Sequence, residues 1–367
     1  MKLHLIGRTA NAALAASIMA SATPMPFIHG RALSHESITA ITDDHLDPRA
    51  FSEEMTGYLN GALRTANAAL FTQAHFSEPA TQYATGWRDT ANLDALCDFI
   101  APTVPGLGER YEHITFPNAE AFLSDVNGDD DLRAINGDFK TIDDTSGKRS
   151  GTIPNRGLRM VVDYDKVKNE PNWQETRISR IMQRLKRNAA RRKYALLVAS
   201  GTDVPLVWDA AGASDPDYDI ANQAVLSGDA SGITPTSALW GIDAQLLRLR
   251  TYGATNAAKA TAGRSMTPGQ ASGMAGLTAM VDTNRYQAGT GKSRITGSKV
   301  ILFTSAPTST MDPSNLKTAK ANTQQGALYA VYVRQLTVKQ WEIVVECYET
   351  EWCATTLGVR SLSITAS

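Results

Sequence analysis

The chain has 367 residues, of which 43% are hydrophobic and 20% charged, and its formal net charge is -1. That length buries a sizeable core and suits one large domain or two moderate ones. A near-neutral balance excludes a protein that coats nucleic acid through a large basic excess, so any genome contact is weak. The three cysteines, Cys97, Cys347 and Cys353, are odd in number and form no CxxC pair, so they read as buried free thiols. The histidines all precede residue 114 and share no ligand spacing, which argues against a histidine metal site.

The chain opens on Met1-Lys2 and Arg8, then an alanine-rich stretch from Ala10 to Ala22, then Pro24 and Pro26. This imitates a secretory signal, although Asn11 and Ser17 interrupt its apolar middle. A helical N-terminal arm is the rival reading. No other stretch is long and apolar enough to cross a bilayer. Residues 1–90 are expected as an arm or extension, with Leu59, Leu63, Leu70 and Phe71 as one apolar stripe. The next piece begins near Asn92, where Leu93, Leu96, Cys97 and Ile100 recur at helical spacing and Pro102 and Pro105-Gly106 end the helix.

Tyr111, His113, Thr115 and Phe116 read as a short strand. Asp125, Asp129, Asp130 and Asp131 follow. Asp125 to Asp129 fails as a calcium loop, because its glycine stands fourth rather than sixth and no Glu stands twelfth. A solvated acidic turn is the reading. Phe139–Ile142 and Leu158–Val162 are expected as two strands joined by a long loop, with Lys148 and Arg149 in its exposed part, Ser146–Gly151.

Pro171 opens a long helix from Asn172 to Ser200, a rod of roughly 40 Å. Ile178, Ile181, Met182, Leu185, Ala189 and Leu196 share one stripe, and Arg177, Arg180, Arg184, Arg187 and Arg191 another. A solvated face is the plain reading of that basic stripe. An interface is the sharper one, because guanidinium pairs carboxylates in fork geometry.

From Thr202 to about Thr310 an α/β lobe is expected. Ser237–Leu249 reads as a helix with Leu239, Ile242, Leu246 and Leu249 on one face. Thr267-Pro268 opens another helix through Met274 and Leu277, and Lys299–Phe303 is a buried strand. Tyr329–Val333 and Trp341–Cys353 are β-rich. Trp341, Ile343, Val345 and Cys347 make the buried face of the second, and Glu342, Glu346, Glu349 and Glu351 read as its outer face.

Catalytic motifs fail one by one. Ala288-Gly289-Thr290-Gly291-Lys292-Ser293 resembles a phosphate loop, but Tyr286 stands where the first glycine belongs and Met280–Arg285 is a poor leading strand. A nucleotide-binding enzyme using Gly289–Ser293 is nevertheless the best enzyme-class rival. A secreted binding protein, suggested by the N-terminal segment, is the second rival. Gly228-Asp229-Ala230-Ser231-Gly232 places its serine one position late for a nucleophile elbow. No catalytic, cofactor or metal residue is assigned.

The order of elements resembles the tailed-bacteriophage major capsid protein family, whose subunit fold is shared with the herpesvirus capsid floor. Three stretches carry the resemblance. One is Asn155-Arg156-Gly157-Leu158-Arg159 through Asp163-Tyr164-Asp165, with Pro171-Asn172-Trp173 and Arg184-Leu185-Lys186-Arg187. The second is Met280-Val281-Asp282 and Asn284-Arg285-Tyr286-Gln287, then Ser298 to Phe303. The third is Trp341 to Glu346 with Thr356-Leu357-Gly358-Val359-Arg360. It covers residues 90–367.

The resemblance implies an α+β fold: an N-terminal arm (1–90), its continuation and an extended hairpin loop (91–166), a peripheral domain with a spine helix (167–200 and 331–367) and an inserted axial domain (201–330). It implies a non-enzymatic shell protein that assembles with itself in pentamers and hexamers. Portal and scaffolding proteins are its further partners, packaged double-stranded DNA is touched weakly, and no membrane or cofactor is involved. The place is the virion, assembled in the bacterial host cytoplasm. The expected interface residues are Lys148, Arg149, Arg177, Arg184 and Arg191, facing acidic groups such as Asp129, Asp130 and Asp131 of a neighbour.

Overall fold

The computed structural model describes residues 27–28, 31–32, 75–89, 91–104, 107–117, 133, 137, 147–208, 214–254, 263, 265–306 and 314–366. The chain divides into two units, residues 1–75 and 76–367. In the first, β1 (Phe27–Ile28) pairs antiparallel with β2 (Arg31–Ala32). The signal-like segment, the Leu59–Phe71 stripe, the Asp125–Asp131 turn and Phe139–Ile142 lie outside the described residues.

The second unit starts earlier than expected. Helix α1 (Glu78–Gly86) buries Ala80, Thr81 and Ala84, so residues expected in an arm belong to the packed body. Helix α2 (Leu93–Ile100) buries Leu93, Leu96, Cys97 and Ile100, the four residues that its spacing selected. Two-residue β3 (Thr103–Val104) follows, then β4 (Arg110–Thr115), β5 (Gly147–Thr152) and β6 (Asn155–Asp163). Helix α3 (Tyr164–Val167) is one turn, capped by the Asp163 side chain. Helix α4 (Trp173–Ser200) has 28 residues, about 42 Å of rod. Its buried row adds Ala190, Lys193 and Leu197 to the expected stripe.

Strand β7 (Thr202–Trp208) leads to α5 (Pro216–Ser231), which the Asp215 side chain caps and left-handed Gly232 ends. The helix expected over Ser237–Leu249 starts five residues late. Ser237–Gly241 is strand β8, buried throughout, and α6 runs Ile242–Ala254. A buried run carries no periodicity to tell strand from helix. The inward face of α6 is also different: Ala244, Arg248 and Tyr252 are buried, and Leu246 is exposed. Helix α7 (Pro268–Met274) opens with a capping box between Thr267 and Gln270, as Thr267-Pro268 predicts, and stops before Leu277. The remaining strands are β9 (Thr278–Asp282), β10 (Arg285–Ala288), β11 (Gly291–Arg294), β12 (Lys299–Phe303), β13 (Leu316–Ala321), β14 (Tyr329–Gln335), β15 (Gln340–Cys353) and β16 (Arg360–Ala366).

Two five-stranded groupings organise these strands. One sheet has the order β7-β16-β12-β8-β9. The other has the order β14-β15-β13-β3, with β6 also paired to the long strand β15. The sheets redraw the expected boundaries. Leu316–Ala321, expected in the inserted lobe of 201–330, pairs with β15. Arg360–Ala366, expected with the closing strands of 331–367, lies between β7 and β12. Strand pairing is a long-range matter that local sequence does not encode.

Helix α4 crosses both groupings. Its first half packs Ile178, Ile181 and Met182 on Val331, Ile343 and Val345 of β14 and β15. Its second half packs Ala189, Ala190 and Leu197 against α2 and against Leu239, Ile301 and Phe303 of the other sheet. Each buried Ile, Leu or Met among them contributes about 1.5–3 kcal/mol and each alanine less, so the helix is held by tertiary burial rather than by its own propensity.

Candidate subunit-interface surface

The long helix carries eight cations and, beyond its first turn, no acid. Four of the cations are paired inside the subunit. Arg177 meets Glu170 at 3.1 Å, Lys186 meets Asp94 at 2.6 Å, Arg192 meets Glu351 at 2.9 Å and Lys193 meets Glu349 at 3.4 Å. The other four are Arg180, Arg184, Arg187 and Arg191, and among the described residues none has a carboxylate within ion-pair distance. Their spacing of four, three and four residues keeps them on one narrow edge, about 16 Å long. Arg191 instead lies over the ring of Tyr286, 3.9 Å from its centroid. Of the expected interface arginines, Arg184 and Arg191 are therefore on the open edge. Arg177 is not, because Glu170 already neutralises it. Asp129, Asp130 and Asp131 lie outside the described residues.

Of the expected loop Ser146–Gly151, the described residues 147–151 lie in a strand. Gly147–Thr152 pairs residue by residue with Arg110–Thr115, so β4 and β5 form a two-stranded stem; Phe139–Ile142 lies outside the described residues, and the stem does not include Leu158–Val162. The latter segment lies in β6 and pairs with β15. Glycines and paired cations suggested a loop, but backbone pairing needs no apolar side chains. Tyr111 fixes the stem to the body: it is buried beside Trp352, with ring centroids 5.0 Å apart. A Cβ on Gly151 would stand 2.7 Å from the Tyr111 ring, so the close approach requires glycine. Phe116 N–H donates to the Ala354 carbonyl at 3.0 Å and pins the far end of β4. Lys148 and Arg149 stay exposed on β5, opposite Ile114 and His113. His113 is buried against Tyr111 and Trp352, and burial, aided by Arg149, pushes its pKa down.

The glutamates of β15 are not an outer face. Glu342 has a side chain 1% exposed and is paired with Arg159 at 3.1 Å and with Arg334. Glu349 shares the inward face of Ile343, Val345 and Cys347 and is buried. Burial raises the Glu349 pKa, but Lys193, Lys320 and Arg192 outweigh it and hold the carboxyl below its ordinary range. One sequence signal could have found this pair. Lys193 falls four residues after Ala189 on the apolar stripe, and Glu349 falls two residues after Cys347 on the buried strand face.

The phosphate-loop candidate is a hairpin turn. Strand β9 does precede it, contrary to expectation, but Ala288 pairs with Gly291 across Gly289-Thr290 and no helix follows. A φ of +58° at Gly289 fits the first position of a two-residue hairpin turn. Phosphate loops present their amides at a helix N-terminus, which this turn lacks. Among the described residues no helix is long and apolar enough to cross a membrane.

No family model and no curated protein matches the sequence. Solved structures do. A phage-related protein from Bordetella bronchiseptica RB50 matches with a TM-score of 0.56 and 16% identity, over 78% of this chain and 97% of that one. Mycobacterium phage Bobi matches with a TM-score of 0.47 and 12% identity, over 77% and 93%. The capsid of cyanophage P-SCSP1u matches with a TM-score of 0.44 and 10% identity, over 72% and 86%. The first likeness shows the fold: this chain is built on the α+β plan of that phage-related protein.

Proposed function

We propose that the chain is the major capsid protein of a tailed bacteriophage or prophage, a structural subunit that assembles with copies of itself into an icosahedral shell. One observation carries the reading. A 28-residue helix crosses two sheet groupings beside a two-stranded stem, in a fold shared with a phage-related protein over 97% of that protein's length. A shell needs contacts that close into rings, and many modest contacts per subunit give it strength by multivalency. A net charge of -1 lets subunits approach without mutual repulsion.

In this reading residues 167–200 with the β15 sheet form the peripheral part, the β7–β16–β12–β8–β9 sheet forms the axial part, and the β4–β5 stem carries the extended loop. Lys148, Arg149, Arg184 and Arg191 contact a neighbouring subunit, joined by Arg180 and Arg187. Their partners are acidic groups such as Asp129, Asp130 and Asp131 of that neighbour. Portal and scaffolding proteins are the further partners, the packaged DNA is contacted weakly, and the shell forms in the host cytoplasm before becoming the virion.

Negative-stain microscopy of the purified protein tests the reading. Shells, rings or tubes are expected, and a uniformly monomeric protein under all assembly conditions would overturn it. Arg184→Glu with Arg191→Glu tests the interface: circular dichroism should stay unchanged while shells disappear. Normal shells from that variant would make the arginine edge a solvated face.

A further inference from the structure

Beneath the second half of α4 lies a small, partly open cavity of about 30 Å³. Its floor is the inward face of three paired strands. Lys320 on β13 stands opposite Glu349 on β15, and Cys347 on β15 stands opposite Tyr329 on β14. Its roof is α4, with Arg192 and Lys186, and its sides are Cys97 of α2 and Arg156 of β6.

The charge of this place does not balance. Arg156, Lys186, Arg192, Lys193 and Lys320 bring five cations to the cavity or its immediate wall, against three carboxylates, Asp94, Glu349 and Glu351. Asp94 is taken by Lys186, Glu351 by Arg192 and Glu349 by Lys193. Arg156 donates to the Glu349 backbone carbonyl at 2.9 Å and reaches Glu351 only at 4.0 Å. Lys320 has no carboxylate within ion-pair distance among the described residues.

The hydrogen-bond inventory leans the same way. The Tyr329 hydroxyl and the Cys97 and Cys347 thiols line the cavity, and among the described residues none of the three has an acceptor. Burial pushes the thiols up to about 11 and about 12, and pushes the Tyr329 phenol up as well, so all three keep their protons at neutral pH. With the Lys320 ammonium they make four donor groups facing one space, whose one lining carboxylate free of Lys186 is already held by Lys193. A water molecule accepts about two hydrogen bonds and must place two protons of its own. An anion accepts from every side and cancels charge where the low dielectric makes an excess cation costly.

We propose that this cavity is a binding site for a small monatomic inorganic anion of the chloride class, held by Lys320, Arg156 and Arg192 with Tyr329 and the two thiols as neutral donors. The volume admits an ion little larger than water. The site lies between the long helix and the sheet below it, so the anion stabilises that contact. The proposal does not depend on the capsid reading, since it concerns a single folded subunit.

Thermal unfolding of the full-length protein tests it, in sodium chloride against sodium gluconate at matched ionic strength. Tm should rise with the logarithm of chloride, by about 2 °C per tenfold once binding sets in, and should stay flat in gluconate. Lys320→Met should abolish the chloride slope, and Lys339→Met, which removes a surface cation paired with Asp165, should keep it. Should Lys320→Met not fold, Tyr329→Phe removes a single hydroxyl and should flatten the slope. Equal Tm in the two salts, or an undiminished slope in either cavity variant, overturns the proposal.

Discussion

The two halves of the long helix lie against the same strand, β15, and are held by different forces. In the first half Ile178, Ile181 and Met182 meet Val331, Ile343 and Val345, and all six are at most 3% exposed. In the second half the ion pairs to β15 are Lys193 with Glu349 and Arg192 with Glu351. Apolar burial is non-directional and roughly proportional to area, so the first half tolerates small shifts. An ion pair under cover stabilises only in good geometry, and removal of one partner strands the other. The first half thus supplies affinity between helix and sheet, and the second half sets their register.

The largest expected effect breaks the second half. Lys193→Met leaves Glu349 buried without its ion-pair partner and should destabilise by about 3–5 kcal/mol in chemical denaturation. Lys193→Met with Glu349→Leu should recover most of that loss. A double variant as unstable as the single one would show that the pair does not act as a unit. Next comes Ile181→Ala in the first half, where a cavity among fully packed neighbours should cost about 2–4 kcal/mol. That cost should add to the Lys193→Met cost, since the two sites share no partner.

Acid separates the halves without mutation. Glu349 has its pKa held below the ordinary 4.5 in the folded chain. The unfolded chain therefore binds more protons on acidification. The stability from Glu349 is complete above about pH 4.5 and is lost as pH falls through the depressed folded value. Denaturation midpoints should decline below pH 4.5 in the parent and decline less in the Lys193→Met/Glu349→Leu variant. Equal acid slopes would remove Glu349 from the account.

The smallest effect is expected at the open end of the helix. Arg177→Ala deletes a pair with Glu170, whose side chain is 45% exposed, and should cost under about 1 kcal/mol. That cost should shrink further in 0.5 M salt, while the Lys193→Met cost persists.

The elements with strong periodicity were legible in residue order. Leu93, Leu96, Cys97 and Ile100 marked α2, and Ile178 through Ala189 marked α4 almost to the residue, because a 3.6-residue period shows one buried face. Thr267-Pro268 marked α7 through its cap, and Lys299–Phe303 marked a central strand. The order of these elements was enough to suggest the fold. The rest follows from long-range pairing, whose partners lie far apart in the chain. Gly147–Thr152 has no apolar pattern of its own and becomes a strand through β4. Ser237–Gly241 is buried on every side, so nothing in it distinguishes helix from strand. Leu316–Ala321 and Arg360–Ala366 exchange sheets relative to their sequence neighbours. Glu349 looked like an exposed glutamate until Lys193, 156 residues away, came within 3.4 Å of it. The place of Lys193 and Glu349 on apolar faces hints at burial, but what makes burial tolerable is a partner that only the folded chain brings near.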